Sequence, residues 1–290
     1  MSASDIMGKR IVKLDRVALL GNIEAFYGLI QDDVKLLEDI DGLPFVDTPL
    51  HVVASAEVAA PAVGAAAAEV AEVAAAAEVA APAVGAAPAE VAASAEVAAS
   101  AEVQRIKFAM EMMRLKPSFA RKLNPNGFSP IHLALQKENI QMVYRLLQVD
   151  GDLVRVKGKE GRTPLHDVAA AATTKQLLDL LFKFLSDCPD SIEDVTIQNK
   201  TALHIALENN NLDAFKRLVR WLRENKSENA REILNRQDER GDTVLHVAVS
   251  KNQTEASSLL SLIIYGLRTF TLIGIKFSVY FSITYFFYFI

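Results

Sequence analysis

Five histidines could exchange protons near neutral pH, and each stands three residues after a Thr or Ser. They are His51, His132, His166, His204 and His246, in TPLH, SPIH, TPLH, TALH and TVLH. A catalytic histidine usually stands alone among unlike neighbours. Here one local context is repeated five times, so the histidines and their partners Thr48, Ser129, Thr163, Thr201 and Thr243 belong to a repeated structural unit. No phosphate loop and no clustered metal-ligand motif accompanies them. The single cysteine, Cys188, precedes Pro189 and finds no spare histidine to activate it. It reads as a small buried hydrophobe. The sequence therefore predicts no enzyme, no cofactor, no metal and no small-molecule substrate.

Charge narrows the classes further. With 31 Lys+Arg against 36 Asp+Glu, the net charge is −5, which gives no electrostatic footprint for nucleic acid. One local basic cluster, Arg105, Lys107, Arg114, Lys116, Arg121 and Lys122, reads as a solvated helix face or as a surface for anionic lipid or an acidic partner. One cysteine permits no internal disulfide and fits a reducing compartment. The N-terminus, MSASDIMGKRIVKLDRV, has no apolar run and is not a secretory signal.

The elements that must position the histidines follow from spacing. Ser129, Thr163, Thr201 and Thr243 lie 34, 38 and 42 residues apart, whereas Thr48 to Ser129 is 81 residues, which marks an insertion. Each unit reads as two short helices. In SPIHLALQKENIQMVYRLL, Ser129 is a natural N-cap and Pro130 loses nothing at the first helical position. Ile140, Val143, Leu146 and Leu147 then form an apolar stripe at spacings of three and four. Turn residues precede four motifs: Asn126-Gly127, Glu160-Gly161, Asn199-Lys200 and Arg240-Gly241. Gly and Asn tolerate the positive φ of a tight hairpin. Neither helix pair can bury its stripe alone, so the units must stack. The T-P-L-H-x-A motif, with its period and its Leu-rich second helix, resembles the ankyrin repeat. That resemblance implies an all-α ankyrin-repeat solenoid of helix-turn-helix repeats with hairpin loops. It also implies that each histidine braces its own turn through the motif Thr and nearby backbone. Residues 10–46 read as a divergent first repeat, 47–128 as a second, interrupted repeat, and 129–258 as four further repeats, the last frayed.

Two segments depart from this pattern. The insert, 54–103, is Ala/Val/Glu low-complexity sequence in which AEVAAPAVGAA occurs at 56–66 and again at 77–87. It is expected to be an expanded surface loop that frays in and out of helix, with Pro61, Pro82 and Pro88 interrupting any long helix. The tail, 259–290, ends in the 21 residues from Phe270 to Ile290, which hold one charge, Lys276. That length suits a membrane-crossing C-terminal helix with the repeats in the cytosol. Its crowded aromatics suit β-strands or aggregation as well.

SIEDVTIQNKTALHIAL, FARKLNPNGFSPIHLALQ and DLVRVKGKEGRTPLH resemble a plant group of ankyrin-repeat membrane proteins, over roughly residues 10–54 and 104–256. Those proteins join cytosolic repeats to a multi-span domain named for a Pro-Gly-Gly motif and act in defence and stress signalling. This sequence has no Pro-Gly-Gly and room for one span. The resemblance thus implies a truncated member, or an end that is a misread intron.

The expected function is a protein-interaction scaffold. One reading places it at a membrane through 270–290, in plant defence signalling. The alternative is a soluble cytoplasmic module whose tail is no anchor. Partner-binding candidates are the hairpin tips Asn126, Phe128, Glu160, Arg162, Asn199, Lys200, Arg240 and Asp242. Phe128 is either an aromatic anchor for a partner or a packing residue on the next hairpin.

Overall fold

The computed structural model describes residues 3–56, 87–225 and 229–265. They form helices and turns, with no strand among the described residues. The chain divides into two compact units, Met1–Val149 and Asp150–Ile290.

In the first unit, α1 (Ala3–Leu20) turns at Gly21 into α2 (Ile23–Asp32). Gly21 has φ +65, and a Cβ there would meet the Gln104 backbone at 2.6 Å, so glycine is required twice over. Asn22 caps α2 by accepting from Ala25 N at 2.9 Å. A short α3 (Leu36–Gly42) follows, then α4 (Pro49–Ser55), which packs against α1. The long α5 (Ala87–Leu115) covers α1 and α4 and brings Phe108 edge-on to Phe26, with ring centroids 5.1 Å apart and both rings fully buried. α6 (Pro130–Gln136) lies on α4, and α7 (Ile140–Val149) packs on α6 and α5. The stripe Met142, Val143, Leu146 and Leu147 is buried.

The start of α5 corrects the expectation for the insert. From Ala87 to Val103 the chain is continuous helix, where a surface loop fraying in and out of helix was expected. Pro88 is the second residue of α5, inside the first turn, where a missing N–H breaks no bond. Beyond it, Ala and Glu are strong helix formers. Residues 57–86, with Pro61 and Pro82, lie outside the described residues.

The second unit opens with a 3₁₀ turn, Gly151–Arg155. Then come α8 (Pro164–Ala171), α9 (Lys175–Asp187), α10 (Ala202–Glu208), α11 (Leu212–Glu224), a short α12 (Ala230–Asn235), α13 (Val244–Ser250) and α14 (Thr254–Tyr265). First helices stack on first helices, α8 on α10 on α13, and second helices stack likewise, α9 on α11 on α14. Leu181, Phe184, Phe215, Leu218 and Leu260 fill the space between them. Cys188 is buried, and desolvation raises its thiol pKa. Among the described residues no helix is long and apolar enough to cross a membrane. The expected span 270–290 lies outside them.

Candidate interaction surface

Each hairpin is built by the same backbone circuit. The first residue donates to the carbonyl of the fifth: Asn124 to Phe128 (2.9 Å), Gly158 to Arg162 (2.7 Å), Thr196 to Lys200 (3.0 Å) and Asp238 to Asp242 (2.9 Å). The fourth residue donates back to the first, from Gly127, Gly161, Asn199 and Gly241, at 2.9–3.0 Å. All four of these take positive φ, which Gly and Asn tolerate. Glu160 does so as well, at φ 60. In two hairpins an Asn or Asp at the first position fixes the turn through its side chain, and in a third Thr196 Oγ1 accepts from Lys200 N at 3.3 Å. Asn124 Oδ1 accepts from Asn126 N and Phe128 N, and Asp238 Oδ1 accepts from Arg240 N and Asp242 N. These two turn-builders escaped the sequence reading, although an Asn or Asp opening a turn is a known signal.

The histidines tie these hairpins to the preceding repeat. Nδ1 of His51, His166 and His204 accepts the N–H of Thr48 (3.1 Å), Thr163 (3.2 Å) and Thr201 (3.3 Å), closing a capping box at the helix start. An amide N–H only donates, so Nδ1 carries no proton and the proton sits on Nε2. Nε2 then donates forward: His51 to the carbonyls of Lys122 and Phe128 (both 3.1 Å), His166 to Lys200 (3.1 Å), His204 to Asp242 (3.2 Å). The ring therefore reaches past its own turn to the following hairpin. His132 Nδ1 meets Ser129 Oγ at 2.6 Å, and His246 Nδ1 meets Thr243 N and Oγ1 at 3.2 and 2.8 Å. Desolvation holds His51 and His166 down at about 4, and His204 below its ordinary value. These three rings are neutral clips at pH 7.

In the second unit the tips also touch edge to edge. Ile197 N donates to Glu160 O, and Glu239 N to Gln198 O, each at 3.0 Å. Asn199 Nδ2 donates to Gln237 O at 2.6 Å. Glu160, Asn199 and Arg240 are exposed on this row. Arg162 is half-buried and paired with Asp167 at 2.8 Å. Asp242 is half-buried and spends its carbonyl on His204. Lys200 does not project: it is buried, and its ammonium lies 2.7 Å from Glu208. A residue the sequence reading missed takes its place. Ile197 is 75% exposed at the middle tip, a β-branched side chain whose Cγ2 lies beside Gly161. In the first unit, Asn126 is exposed, while Phe128 is half-buried with its ring tilted against His132, centroids 6.4 Å apart.

The basic cluster is largely neutralised. Arg105 pairs with Glu102 (2.8 Å), Arg114 with Glu111 (2.5 Å), and Lys116 and Lys122 with Asp41 (3.0 and 3.7 Å). Arg114 is exposed in its pair, whereas the Arg105–Glu102 pair is mostly buried. Among the described residues no three His, Cys, Asp or Glu side chains are grouped to hold a metal ion.

Residues 168–266, about a third of the chain, match the family model for ankyrin repeats in three copies. No curated protein matches the chain. Ankyrin repeats generally mediate protein–protein interactions.

Proposed function

We propose that this chain is an ankyrin-repeat scaffold that binds a protein partner along the hairpin row of its second unit. The observation that carries this reading is the row itself. Three tips are locked to one another through backbone bonds, and their histidines are used up inside as clips. What is left outward is a rigid edge with Ile197 bare between the charged Glu160 and Arg240. An exposed apolar residue ringed by charges on rigid backbone is the composition of an interface core with its rim. The partner class is a folded protein or peptide with an apolar pocket for Ile197.

The test is binary. A partner selected by the full chain is made recombinantly, and its affinity is measured by calorimetry against the parent and Ile197→Asp. The substitution is expected to weaken binding about tenfold or more and to leave thermal unfolding unchanged. Unaltered affinity sinks the hairpin-row reading.

The membrane reading, with its part in plant defence signalling, rests on the resemblance and on the apolar sequence of 270–290. It is tested by alkaline carbonate extraction of the full chain beside one stopped after Tyr265. That stop keeps α14 whole, with Leu260 in the core. Retention of the full chain alone, floating with lipid, supports an anchor. Equal release of both supports the soluble scaffold, which is the reading preferred here.

A further inference from the structure

The outermost residues of the hairpin row carry an order of charges that fits one partner in particular. This inference rests on the hairpin-row reading and says what the partner is. In each hairpin of the second unit the second and third residues form the tip: Lys159 and Glu160, Ile197 and Gln198, Glu239 and Arg240. The bonds from Ile197 N to Glu160 O and from Glu239 N to Gln198 O set these tips side by side in chain order. Along the second positions the row therefore reads cation, apolar, anion. Along the third positions it reads anion, neutral, cation.

The end charges are available. Lys159, Glu160, Glu239 and Arg240 are all exposed, and none takes part in an ion pair or a side-chain hydrogen bond among the described residues. The cations just behind the tips differ: Arg162 is held by Asp167 and Lys200 by Glu208. Between the end charges Ile197 is 75% exposed. A single exposed apolar residue is ordinary on a surface. What sets this one apart is its place at the midpoint of a charge pattern that reverses sign about it.

Such a pattern is self-complementary. Consider a second copy turned about a two-fold axis that lies in the contact plane and crosses the row at the middle tip. Lys159 then faces Glu239 of the other copy, Glu160 faces Arg240, and symmetry repeats each pairing. Ile197 meets Ile197, and no like charges are opposed. A two-fold axis along the row would also oppose unlike charges, but it would set Ile197 on the polar Gln198. We propose that the partner of the hairpin row is a second copy of this chain, joined about the axis that crosses the row. An isologous contact needs a self-complementary patch, and the tips of the second unit supply one. Three tips make a contact smaller than a permanent dimer buries, so the dimer is weak, and salt loosens its exposed ion pairs.

The experiment uses the full chain. Sedimentation equilibrium at low salt is expected to show a dimer that dissociates on dilution and on raising the salt. Lys159→Glu and Glu239→Lys each oppose like charges at two symmetric places, and each is expected to weaken self-association about tenfold or more. Both side chains are exposed and the hairpins are held through backbone, so the melts of the variants should match the parent. Mixed one to one, the two variants again set every end charge against its opposite. A dimer holding one copy of each is expected where neither variant dimerises alone. A parent that is monomeric at the highest attainable concentration overturns the proposal. So does a dimer that both single variants leave intact, or a mixture that restores nothing, since association through another surface or about the other axis would give those results. A chain that stays monomeric yet binds another protein less tightly after Ile197→Asp overturns the second copy as partner and leaves the hairpin-row reading standing.

Discussion

Two repeat junctions, one in each unit, use the same clip under different demands on the chain. His166 donates to Lys200, 34 residues ahead. His51 donates to Lys122 and Phe128, 71 and 77 residues ahead, across the low-complexity insert. Locally the two are alike. Nδ1 to the Thr N–H is 3.2 Å in one and 3.1 Å in the other, and to the Thr hydroxyl 2.7 and 2.8 Å. The difference teaches that neighbouring repeats recognise each other through a fixed set of buried bonds, and the connecting chain is nearly irrelevant. Loop closure explains why, because each doubling of loop length costs only about 0.6 kcal/mol.

The largest expected effect tests that equality. His51→Ala and His166→Ala should each destabilise by about 2–4 kcal/mol, because each strands a buried Thr N–H and removes a donor from the next hairpin. In urea unfolding the two losses should agree within about 1 kcal/mol. A much smaller loss for His51→Ala would mean the insert has loosened its junction.

A smaller effect separates two glycines in equivalent turns. Gly161 has φ +68, and a Cβ there would crowd Ile197 N at 3.0 Å; Gly241 has φ +83 and open space. Gly161→Ala should cost about 2 kcal/mol and Gly241→Ala about 1 kcal/mol, measured by thermal melts. Equal costs would show that backbone strain alone matters and that the tips do not press on each other.

Acid sharpens the comparison again. His51, His166 and His204 have folded pKa values below their unfolded value of about 6.5. The stability they contribute is complete above that pH and is lost as pH falls toward about 4, the folded value for His51 and His166. The first unit also carries Asp15, which burial, with Asp47 nearby, pushes up to about 6; its Oδ1 is buried without a hydrogen-bond partner. Its raised pKa acts in the opposite sense, opposing folding above pH 6 and ceasing to do so as pH falls to about 4. Asp15→Asn should therefore raise the first unit's melting temperature at pH 7. It should also make that unit's decline between pH 6 and 4 steeper. An unchanged melt at pH 7 would remove Asp15 from the account.

The smallest effect concerns the insert. Deleting 56–76, which leaves AEVAAPAVGAA once, should raise stability by about 1 kcal/mol or less in urea unfolding. A large loss would show that this segment packs.

The helix pairs and hairpins were legible because their signals are local. Ser129-Pro130, Asn126-Gly127 and the stripes at three and four act within a few residues. What was not legible depends on distance. That His166 clips the following hairpin needs Lys200 brought back across 34 residues. Lys200 itself looked like a tip until Glu208, one helix on, drew its ammonium inward. Ile197 carries no local signal of a tip, because only the placement of the neighbouring tips leaves it exposed. The start of α5 was missed through weighting Pro88 as a breaker when its position in the first turn makes it harmless.

The central claim is that the motif histidines are neutral clips between repeats. Nitrogen-15 NMR of the imidazoles across a pH titration tests it most directly. The account predicts that His51, His166 and His204 hold their proton on Nε2, with Nδ1 bare, and that His51 and His166 stay neutral at pH 5 while the chain is folded. Rings that protonate with an ordinary midpoint near 6.5 in the folded chain, or that carry the proton on Nδ1, would contradict it.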